Sequence, residues 1–361
     1  MNLFPLHKKH FKRINLDPII AVVIPAYNVE KSICVVLKKI PAKVNYIIVV
    51  DDCSPDGLIN EVTSYNDQRV HLISNTHNRG VGGAVLIGYS YALSLGADIV
   101  IKIDGDDQMD LTYLDDLLAP ILEKRADYSK GNRFLHQQEL LRMPGIRKFG
   151  NLCLSFFSKI ATGYWQIFDP TNGFTAITKQ ALLQIDPDKV EKNYFFETAM
   201  LAELRKADAV IEDVPIPAIY NDFGSSIKIG REIIIFLPKL IHRIFARIHY
   251  QYFKFNFTAI SFFLSSSIVL GLFGVIWGIV KWIKSSQTGI PATTGTVLIA
   301  VLPIILAVQF FVQAVTLDIS NIPIHPISGN KNLYRTHDKP MTRYLTNQIS
   351  SGEVIIRKKE K

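Results

Sequence analysis

The sequence predicts a doubly wound α/β domain that is followed by amphipathic helices and two membrane-spanning helices. Short apolar runs alternate with segments of helical apolar spacing along the first hundred residues, which is the pattern of successive βαβ units. Two later segments each approach the roughly 20 apolar residues needed to cross a bilayer core. A hydrophobic content of 48% in 361 residues leaves room for both parts.

Four parallel strands are predicted at 19–24, 46–50, 70–73 and 97–103, where the sequence reads IIAVVI, YIIVV, VHLI and ADIVIKI. Helices are predicted between them at 32–40, 57–65 and 81–95, because the apolar residues there are spaced as on a helix that packs against a sheet. Strands covered by helices on both faces read as nearly continuous apolar runs, as these do.

The second half of the chain predicts contact with a membrane. Residues 230–256 mix apolar and aromatic side chains with basic ones, as in helices that lie on a membrane surface; a basic helix docked on its own domain is the alternative. Two spans are predicted within 257–282 and 297–317. The loop from Ser285 to Thr296 lacks charged residues, whereas Lys and Arg are abundant on both outer flanks, so we expect the flanks to be cytosolic and the loop external.

The chain is thus expected to have five parts. They are a basic N-terminal segment 1–17, the α/β domain 18–229, juxtamembrane helices 230–256, a two-helix membrane hairpin 257–318 and a cytosolic basic tail 319–361. We expect the end of the tail, IIRKKEK, to be solvated. A secretory signal is not expected, because the basic N-terminus lacks a following apolar core and a small-residue cleavage site.

Charge and cysteine content narrow the class of protein. A net charge of +8 suits an anionic membrane surface or phosphate-bearing ligands as well as nucleic acid, so charge alone does not choose among them. The three cysteines lie far apart without a CxxC pair, which argues against a disulfide framework or a zinc site and fits a reducing cytosol. The nine histidines show no ligand spacing.

An acidic turn follows the predicted strand 97–103. Ligands of open α/β sheets gather outside the carboxyl ends of the strands, where Asp104, Asp106 and Asp107 lie. Carboxylates this close repel one another unless a cation or hydration offsets their charge, so the stretch Asp104-Gly105-Asp106 is a plausible seat for Mg²⁺ or Mn²⁺ shared with a diphosphate. The alternative is a solvated turn that leads into a helix, for which Asp110 would be the N-cap.

A second acidic turn, VVDDCSPDG, follows another predicted strand and opens on the same sheet edge. Asp51 or Asp52 could accept hydrogen bonds from a nucleobase or ribose, while Asp56 more simply forms the turn. The run NRGVGGA lacks the GxGxxG spacing and does not follow the first strand, which argues against dehydrogenase chemistry.

A family resemblance rests on seven stretches that occur in order: IPAYN, VVDDCS, NRGVGGA, DGDDQ, GNRF, DPTNGF and FFE. With these motifs residues 19–230 resemble glycosyltransferase family 2, which implies a GT-A (nucleotide-diphospho-sugar transferase) fold. The two spans make the chain most similar to the polyprenyl-phosphate glycosyltransferases, the group that includes dolichyl-phosphate mannose synthase.

The resemblance also implies roles for particular residues. Nucleotide-sugar contacts are implied for Pro25, Tyr27, Asn28, Asp51, Asp52 and Asp104. Metal and diphosphate binding is implied for Asp104, Asp106 and Gln108. A catalytic role is also implied for Asp106. Arg133 and Arg147 would meet the sugar phosphate or the acceptor phosphate, because a guanidinium fork suits phosphate oxygens; both could instead be surface arginines. Lys228 would also reach the acceptor phosphate.

Two positions depart from the family pattern. Cys53 stands where the family commonly has Gly, which is tolerable if φ there is negative but could narrow the nucleotide pocket. In YNDFGSSIK, Asn221 stands where mannose synthases often have Arg, which puts the identity of the sugar in doubt.

The implied activity is inverting transfer of one sugar from a nucleotide-diphosphate sugar to a polyprenyl phosphate of the undecaprenyl or dolichyl type. A divalent metal would stabilise the leaving diphosphate. The acceptor phosphate is largely ionised near neutral pH, so positioning could suffice without a strong base. Glu197 is the candidate base if one is needed, and an ion-pair or core-helix role is its alternative.

Alternatives remain for the acceptor and for the class of protein. A family 2 membrane enzyme acting on a glycolipid or polysaccharide precursor is the second interpretation, and a non-catalytic membrane scaffold is the third. A processive polysaccharide synthase is disfavoured because no QxxRW-like motif occurs. The expected partners are the nucleotide sugar, the lipid phosphate and the bilayer, without nucleic acid, and a homo-oligomer is left open. The expected location is the inner (cell) membrane, with multiple spans.

Overall fold

The computed structural model describes residues 17–135, 145–193, 195–217, 229–254, 257–327 and 340–357. Its centre is an eight-stranded mixed sheet with the order β7-β5-β6-β4-β1-β2-β3-β8. The strands are β1 Ile20–Ala26, β2 Tyr46–Asp51, β3 Val70–Asn75, β4 Ile99–Lys102, β5 Tyr128–Asn132, β6 Thr175–Thr178, β7 Ile211–Pro215 and β8 Val354–Arg357.

The four strands predicted from apolar runs are confirmed as the parallel centre of the sheet. β1 lies between β2 and β4, with Ala26 beside Asp51 and Val23 beside Lys102, and β3 continues the sheet beyond β2. The carboxyl ends of β2, β1 and β4 therefore meet at one edge. Both acidic turns open there, on either side of the end of β1.

Helices cover both faces of the sheet, which confirms the doubly wound class. In the α/β part they are α1 Glu30–Lys39, α2 Leu58–Ser64, α3 Gly80–Ser94, α4 Leu114–Leu122, α5 Gly145–Thr162, α6 Lys179–Leu182 and α7 Phe196–Lys206. One apolar core holds the buried residues of α3 and α7. The other holds those of α1, α2 and α4, so the sheet separates two cores.

A single turn of 3₁₀ helix, Leu111–Tyr113, precedes α4. The side chain of Asp110 accepts a hydrogen bond from the backbone N–H of Thr112 at 3.0 Å, which confirms the predicted cap. Further 3₁₀ turns cover Arg133–Leu135 and Pro187–Lys189.

The second half of the sheet was not predicted. β5 reads YSKGN, and all five of its residues are buried although most of them are polar or Gly. β6 is antiparallel to both β4 and β5, whereas β7 is parallel to β5. A buried polar strand has no apolar run, and this is the physical reason that hydrophobic periodicity did not reveal it.

Within the described residues, three long helices follow the α/β part. α8 covers Ile229–His249 and continues into a π-helical turn at Tyr250–Lys254; α9 and α10 cover Ala259–Thr288 and Thr294–Ser320. By length and composition, α9 and α10 are candidate membrane spans, and most of their surface is exposed on the molecule. They pack on each other as a hairpin.

The chain returns to the α/β part after this hairpin. α11, Pro340–Ser350, packs on α3, and β8 pairs antiparallel with β3. Residues 354–357 extend the sheet, with Val354 buried, whereas Ile355 and Ile356 of the stretch expected to be solvated are exposed.

Candidate active site

The turn after β2 holds two buried carboxylates that the protein itself satisfies. Asp51 accepts a hydrogen bond from the backbone N–H of Ser54 at 2.9 Å. Asp52 accepts one from Asn75 Nδ2 at 2.7 Å and one from the backbone N–H of Arg79 at 2.9 Å. Burial raises the pKa of Asp51, against the lowering effect of its hydrogen bonds. Asp52 therefore ties the β2 turn to the loop before α3.

The end of β1 contributes the segment Pro25, Tyr27 and Asn28 to the same edge. Pro25 lies beside Val50 in the sheet, and the Tyr27 side chain is 51% exposed. The backbone N–H of Asn28 donates to Ser54 Oγ at 2.7 Å, so this segment is joined to the β2 turn. An exposed aromatic ring at a ligand-binding edge can stack on a planar group.

Cys53 adopts φ +59°, in the left-handed region. Negative φ was the condition under which a side chain there would be tolerated, and the structure does not meet it. A residue with a Cβ in this region carries a conformational cost of about 1–2 kcal/mol relative to Gly. Its Sγ lies 3.7 Å from the carbonyl oxygen of Thr76.

The turn after β4 is built on a buried lysine. Lys102 Nζ lies 2.7 Å from Asp104 Oδ1 and 3.2 Å from Glu197 Oε1, and the Lys102 side chain is 1% exposed. Burial alone would lower the pKa of Lys102, but the two carboxylates outweigh burial and raise it. Lys102 is therefore a fixed positive charge beneath Asp104.

Gly173 of the DPTNGF stretch allows this arrangement. A Cβ on Gly173 would lie 2.3 Å from Lys102 Nζ and 2.8 Å from Asp104 Oδ2. No side chain fits there without displacing the ion pair, so this position requires Gly. The carbonyl oxygen of Gly173 also lies 3.4 Å from Lys102 Nζ and can accept a hydrogen bond from it.

Asp106 and Gln108 complete the turn after β4. The backbone N–H of Gln108 donates to Asp106 Oδ1 at 3.1 Å. Desolvation and then the negative charge of Asp104 raise the pKa of Asp106. Asp107, at φ +61°, instead pairs with Lys39 Nζ at 2.6 Å and so turns away from this carboxylate pair.

Glu197 lies in the first turn of α7 and is buried against Lys102. The ion pair, which was the alternative to a general base, is thus present in the structure. The base role stays a prediction.

Arg133 follows β5 and is held by a buried partner. Its Nε and Nη2 donate to the two carboxylate oxygens of Asp169, at 2.8 and 3.0 Å. Asp169 is fully buried, which would raise its pKa, but the guanidinium of Arg133 more than offsets burial and the pKa is lowered. The Arg133 side chain is 39% exposed, so a fixed guanidinium reaches the surface.

Three predicted positions cannot be placed as side chains. Arg147 lies in α5, but its side chain is among those that the structure does not describe. Lys228 and Asn221 lie outside the described residues.

Sequence reasoning missed Lys102, Lys130 and Asp169. Lys102 is the only charged residue within the apolar strand IVIK, which was a usable signal. Lys130 Nζ donates to the carbonyl oxygen of Asn172, and burial lowers the pKa of Lys130 to about 8. Asp169 lies in a quoted motif, yet only the fold brings it to Arg133.

A buried polar cluster joins the hairpin of α9 and α10 to the α/β part. Asp318, near the end of α10, accepts hydrogen bonds from Arg247 Nη1 at 2.8 Å and Nη2 at 3.0 Å, and from Trp165 Nε1 at 2.9 Å. The hydroxyl of Tyr252 donates to the same carboxylate. The cluster therefore connects α10 to α8 and to the loop after α5.

Comparison with known proteins identifies the family. Residues 21–186 match glycosyl transferase family 2. The chain is 32% identical over 237 residues to UDP-N-acetylglucosamine–dolichyl-phosphate N-acetylglucosaminyltransferase of Methanococcus voltae, covering 60% of this chain and 94% of that protein. It is 29% identical over 212 residues to undecaprenyl-phosphate mannosyltransferase of Micrococcus luteus, covering 57% and 86%.

Among solved structures, glucosyl-3-phosphoglycerate synthase from Mycobacterium tuberculosis in complex with UDP is similar with a TM-score of 0.47 and 18% identity, covering 63% of this chain and 80% of that chain. The match to the family and the relative covered over 94% of its length agree with the motifs quoted from the sequence. This chain is a glycosyltransferase and belongs to glycosyl transferase family 2.

Proposed function

We propose that this protein transfers a single sugar from a nucleotide-diphosphate sugar to a polyprenyl phosphate at the cytosolic face of the membrane, with inversion at the anomeric carbon. The observation that carries the proposal is a carboxylate-lined sheet edge on a domain that the Asp318 cluster joins to two long apolar helices. Two relatives named for transfer to dolichyl phosphate and undecaprenyl phosphate support the acceptor class.

The donor is proposed to lie across the edge formed by β2, β1 and β4. Tyr27, Asn28 and the turn of Asp51 and Asp52 would hold the nucleoside, and Asp104 would lie at the diphosphate. Both turns flank the end of β1, so one extended ligand can span them. Ligands of open α/β sheets bind at such an edge.

Asp104 and Asp106 fit a divalent cation shared with the donor diphosphate. The charge of Asp104 contributes to the raised pKa of Asp106, so a cation there would relieve repulsion. Among the described residues no group of three or more His, Cys, Asp or Glu could hold a metal by itself. A pair of carboxylates with phosphate oxygens, assisted by Gln108, is the arrangement that Mg²⁺ commonly takes in proteins. Bound Mg²⁺ or Mn²⁺ would supply Lewis-acid stabilisation of the leaving diphosphate.

The chain's own residues orient the reacting groups. Lys102 pairs with Asp104 and fixes the direction of its carboxylate. Asp169 holds two nitrogens of Arg133, so the guanidinium is oriented before a phosphate arrives. Arg147 and Lys228 are proposed to complete the site for the acceptor phosphate. An ionised phosphate needs no strong base to attack the sugar, and Glu197→Gln would test whether that glutamate nevertheless acts as one.

The acceptor must be met at the level of the lipid headgroups. Moving a polyprenyl tail into water costs roughly 0.8 kcal/mol per CH₂ group, so the phosphate cannot travel far from the bilayer. α8 exposes Leu237, Ile241 and Phe245 on its surface just before the hairpin. We propose that these residues insert at the membrane interface and hold the donor edge near it.

A cytosolic position of both flanks of the hairpin agrees with the return of α11 and β8 to the α/β part, since a chain must cross a membrane an even number of times to return. Cysteine labelling tests this topology in a variant without the native cysteines. A cysteine at Thr288, the exposed last residue of α9, should react from outside intact cells. Labelling only after the cytosolic face is opened would overturn the topology.

The experiment for the function incubates membranes that contain the full-length protein with a panel of labelled nucleotide sugars and undecaprenyl or dolichyl phosphate. Labelled sugar should enter the organic phase for one donor and be lost with Arg133→Ala. Transfer to another acceptor, with the polyprenyl phosphates ignored, would favour the second interpretation. Absence of nucleotide-sugar binding would favour a scaffold.

A further inference from the structure

The segment after the membrane hairpin is part of the catalytic fold. Ser90 Oγ of α3 donates to the carbonyl oxygen of Met341 at 2.8 Å and accepts from the backbone N–H of Leu345 at 3.1 Å. Met341, Tyr344 and Leu345 are buried, so α11 is packed on α3. This docking brings residues 353–357 along β3, with Val354 beside Asn75 and Arg357 beside Leu72.

The first link from this segment runs to Asp52. The carboxylate of Glu353 pairs with the guanidinium of Arg79, whose side chain is 5% exposed. The backbone N–H of the same Arg79 donates to Asp52 Oδ1 at 2.9 Å. The carbonyl oxygen of Glu353 also accepts from the backbone N–H of Thr76 at 3.1 Å. Glu353 thus holds, through both its side chain and its backbone, the loop that supports Asp52.

The second link runs to Asp51. Arg357 Nε donates to Ser74 Oγ at 2.9 Å, and Ser74 lies beside Asp51 in the β2–β3 pairing. Burial raises the pKa of Asp51, while the hydrogen bond of Ser74 and the positive charge of Arg357 oppose this. Arg357 therefore stabilises the ionised form of a carboxylate that is otherwise disfavoured by its burial.

The contacts of β8 are mainly polar. Val354 is buried, but Ile355 is 50% exposed and Ile356 is 36% exposed, so the strand adds little to the apolar core. The two charged side chains of residues 353–357, Glu353 and Arg357, instead meet Arg79 and Ser74, next to the carboxylates proposed to bind the nucleoside. A strand whose role is core packing would instead bury its apolar side chains and leave its charged side chains exposed.

We propose that residues 353–357 form the outer support of the donor site, and that Glu353 and Arg357 are positioning residues for the binding of a nucleoside diphosphate by the turn of Asp51 and Asp52. This inference rests on the proposed function, because it takes that turn as the nucleoside subsite. The ligand that these residues help to bind is the nucleoside diphosphate portion of the donor. Binding of the lipid acceptor does not depend on them.

The test uses full-length protein in lipid nanodiscs with Arg357→Met, Arg357→Lys and Glu353→Gln. Arg125→Met and Glu123→Gln are matched controls, since these two residues form an exposed ion pair between α4 and β5. Dissociation constants are measured for UDP and for GDP, each with Mn²⁺. Kinetic constants are measured with the nucleotide sugar that is active as a donor in the panel.

We expect Arg357→Met and Glu353→Gln to raise the dissociation constant and the donor KM about tenfold, which is 1.4 kcal/mol. The KM for polyprenyl phosphate and kcat at saturating donor should stay within about twofold, because these residues face the nucleoside end. Arg357→Lys should recover part of the affinity by keeping the charge. The controls should match the parent protein.

Unchanged donor affinity in both variants, with transfer intact, would overturn this inference and leave the proposed function standing. A parallel fall of kcat and of the affinity for both substrates, together with a lower melting temperature, would also overturn it, since that result indicates a general folding role. A parent protein that binds neither UDP nor GDP would overturn the proposed function and this inference with it.

Discussion

The two acidic turns look alike in sequence, yet the structure uses them differently. VVDDCS and KIDGDD each follow a parallel strand beside β1 and each include a left-handed residue, Cys53 or Asp107. In the β2 turn, Asp51 and Asp52 are buried, and their oxygens accept hydrogen bonds from the protein. In the β4 turn, Lys102 holds Asp104, and the charge of Asp104 disfavours ionisation of Asp106.

This difference teaches that like charge alone does not identify a cation site. In the β2 turn, N–H donors and positive charge of the protein itself offset the repulsion between the two carboxylates. The β4 turn keeps two carboxylates close to each other, with one lysine beneath them. The first turn is therefore expected to behave as a rigid support, and the second as a place where an external cation completes the charge balance.

The largest effect is expected at Asp106. Asp106→Ala should lower sugar transfer by about a thousandfold, the upper range for loss of a group that stabilises developing charge. The melting temperature should change little, because the carboxylate accepts its hydrogen bonds from local turn N–H groups. Chelator should abolish transfer by the parent protein, as measured by labelled lipid product.

The control for Asp106 is Asp115→Ala, a side chain that is 85% exposed and pairs with Lys43. Asp104→Asn is a better companion than Asp104→Ala, since Asn keeps an acceptor for Lys102. Transfer that survives loss of both Asp104 and Asp106, or that persists in excess chelator, would contradict the metal site.

The next effect concerns stability. Lys102→Met leaves Glu197 buried beside Asp104 without their shared cation, and we expect a loss of about 3 kcal/mol in the free energy of unfolding. Glu197→Gln should cost less, because Asp104 still pairs with Lys102. The double variant should recover part of the loss, as measured by a double-mutant cycle in denaturant.

That cycle also tests the role of Glu197. A Glu197→Gln enzyme that is stable but inactive, with activity rising steeply with pH in the parent protein, would support a general base. Activity that follows stability would support the ion pair alone. An additive cycle would contradict the coupling across Lys102.

A smaller effect is expected in the β2 turn. Asp52→Ala removes the acceptor of Asn75 and of the Arg79 N–H, and each lost hydrogen bond of this kind costs about 1 kcal/mol. Stability and donor affinity should therefore fall together, whereas Asp106→Ala should lower transfer with little change in stability. Thermal unfolding measures the stability, and binding of UDP or GDP measures the affinity. A loss of affinity at full stability would mean that the two turns do not differ as described.

The smallest effect distinguishes the two left-handed residues. Cys53→Gly should raise stability by about 1 kcal/mol, because Gly adopts φ +59° without steric cost. Asp107→Gly should stay within about 0.5 kcal/mol, since Asp tolerates this region and its pair with Lys39 is partly exposed. Equal shifts in denaturant midpoint would contradict the distinction.

The sequence predicted what depends on local pattern. Strands β1 to β4 are apolar runs, and the turns after them lie where those runs end. The cap at Asp110 also follows from residue type and position. These features need no knowledge of the rest of the chain.

Features that depend on distant residues were not predicted. β5 is buried but polar, and β8 is separated from its partner β3 by the whole hairpin of α9 and α10. The pairing of Lys102 with Glu197 and of Arg133 with Asp169 joins residues that only the sheet order brings together. The sequence predicted the positions of the candidate site, but it did not predict the distant residues that pair with them.

The return of β8 to β3 has a consequence for how the protein is made. The ribosome synthesises β3 early, but its edge partner exists only after both apolar helices have been translated. Until then β3 has an open edge, which is a template for unwanted pairing. If Glu353 and Arg357 support the donor turn as proposed, nascent chains whose hairpin has not yet formed would bind nucleotide sugar weakly. Catalytic competence would then be reached only after the candidate spans have been made, at the membrane where the proposed lipid acceptor would be present.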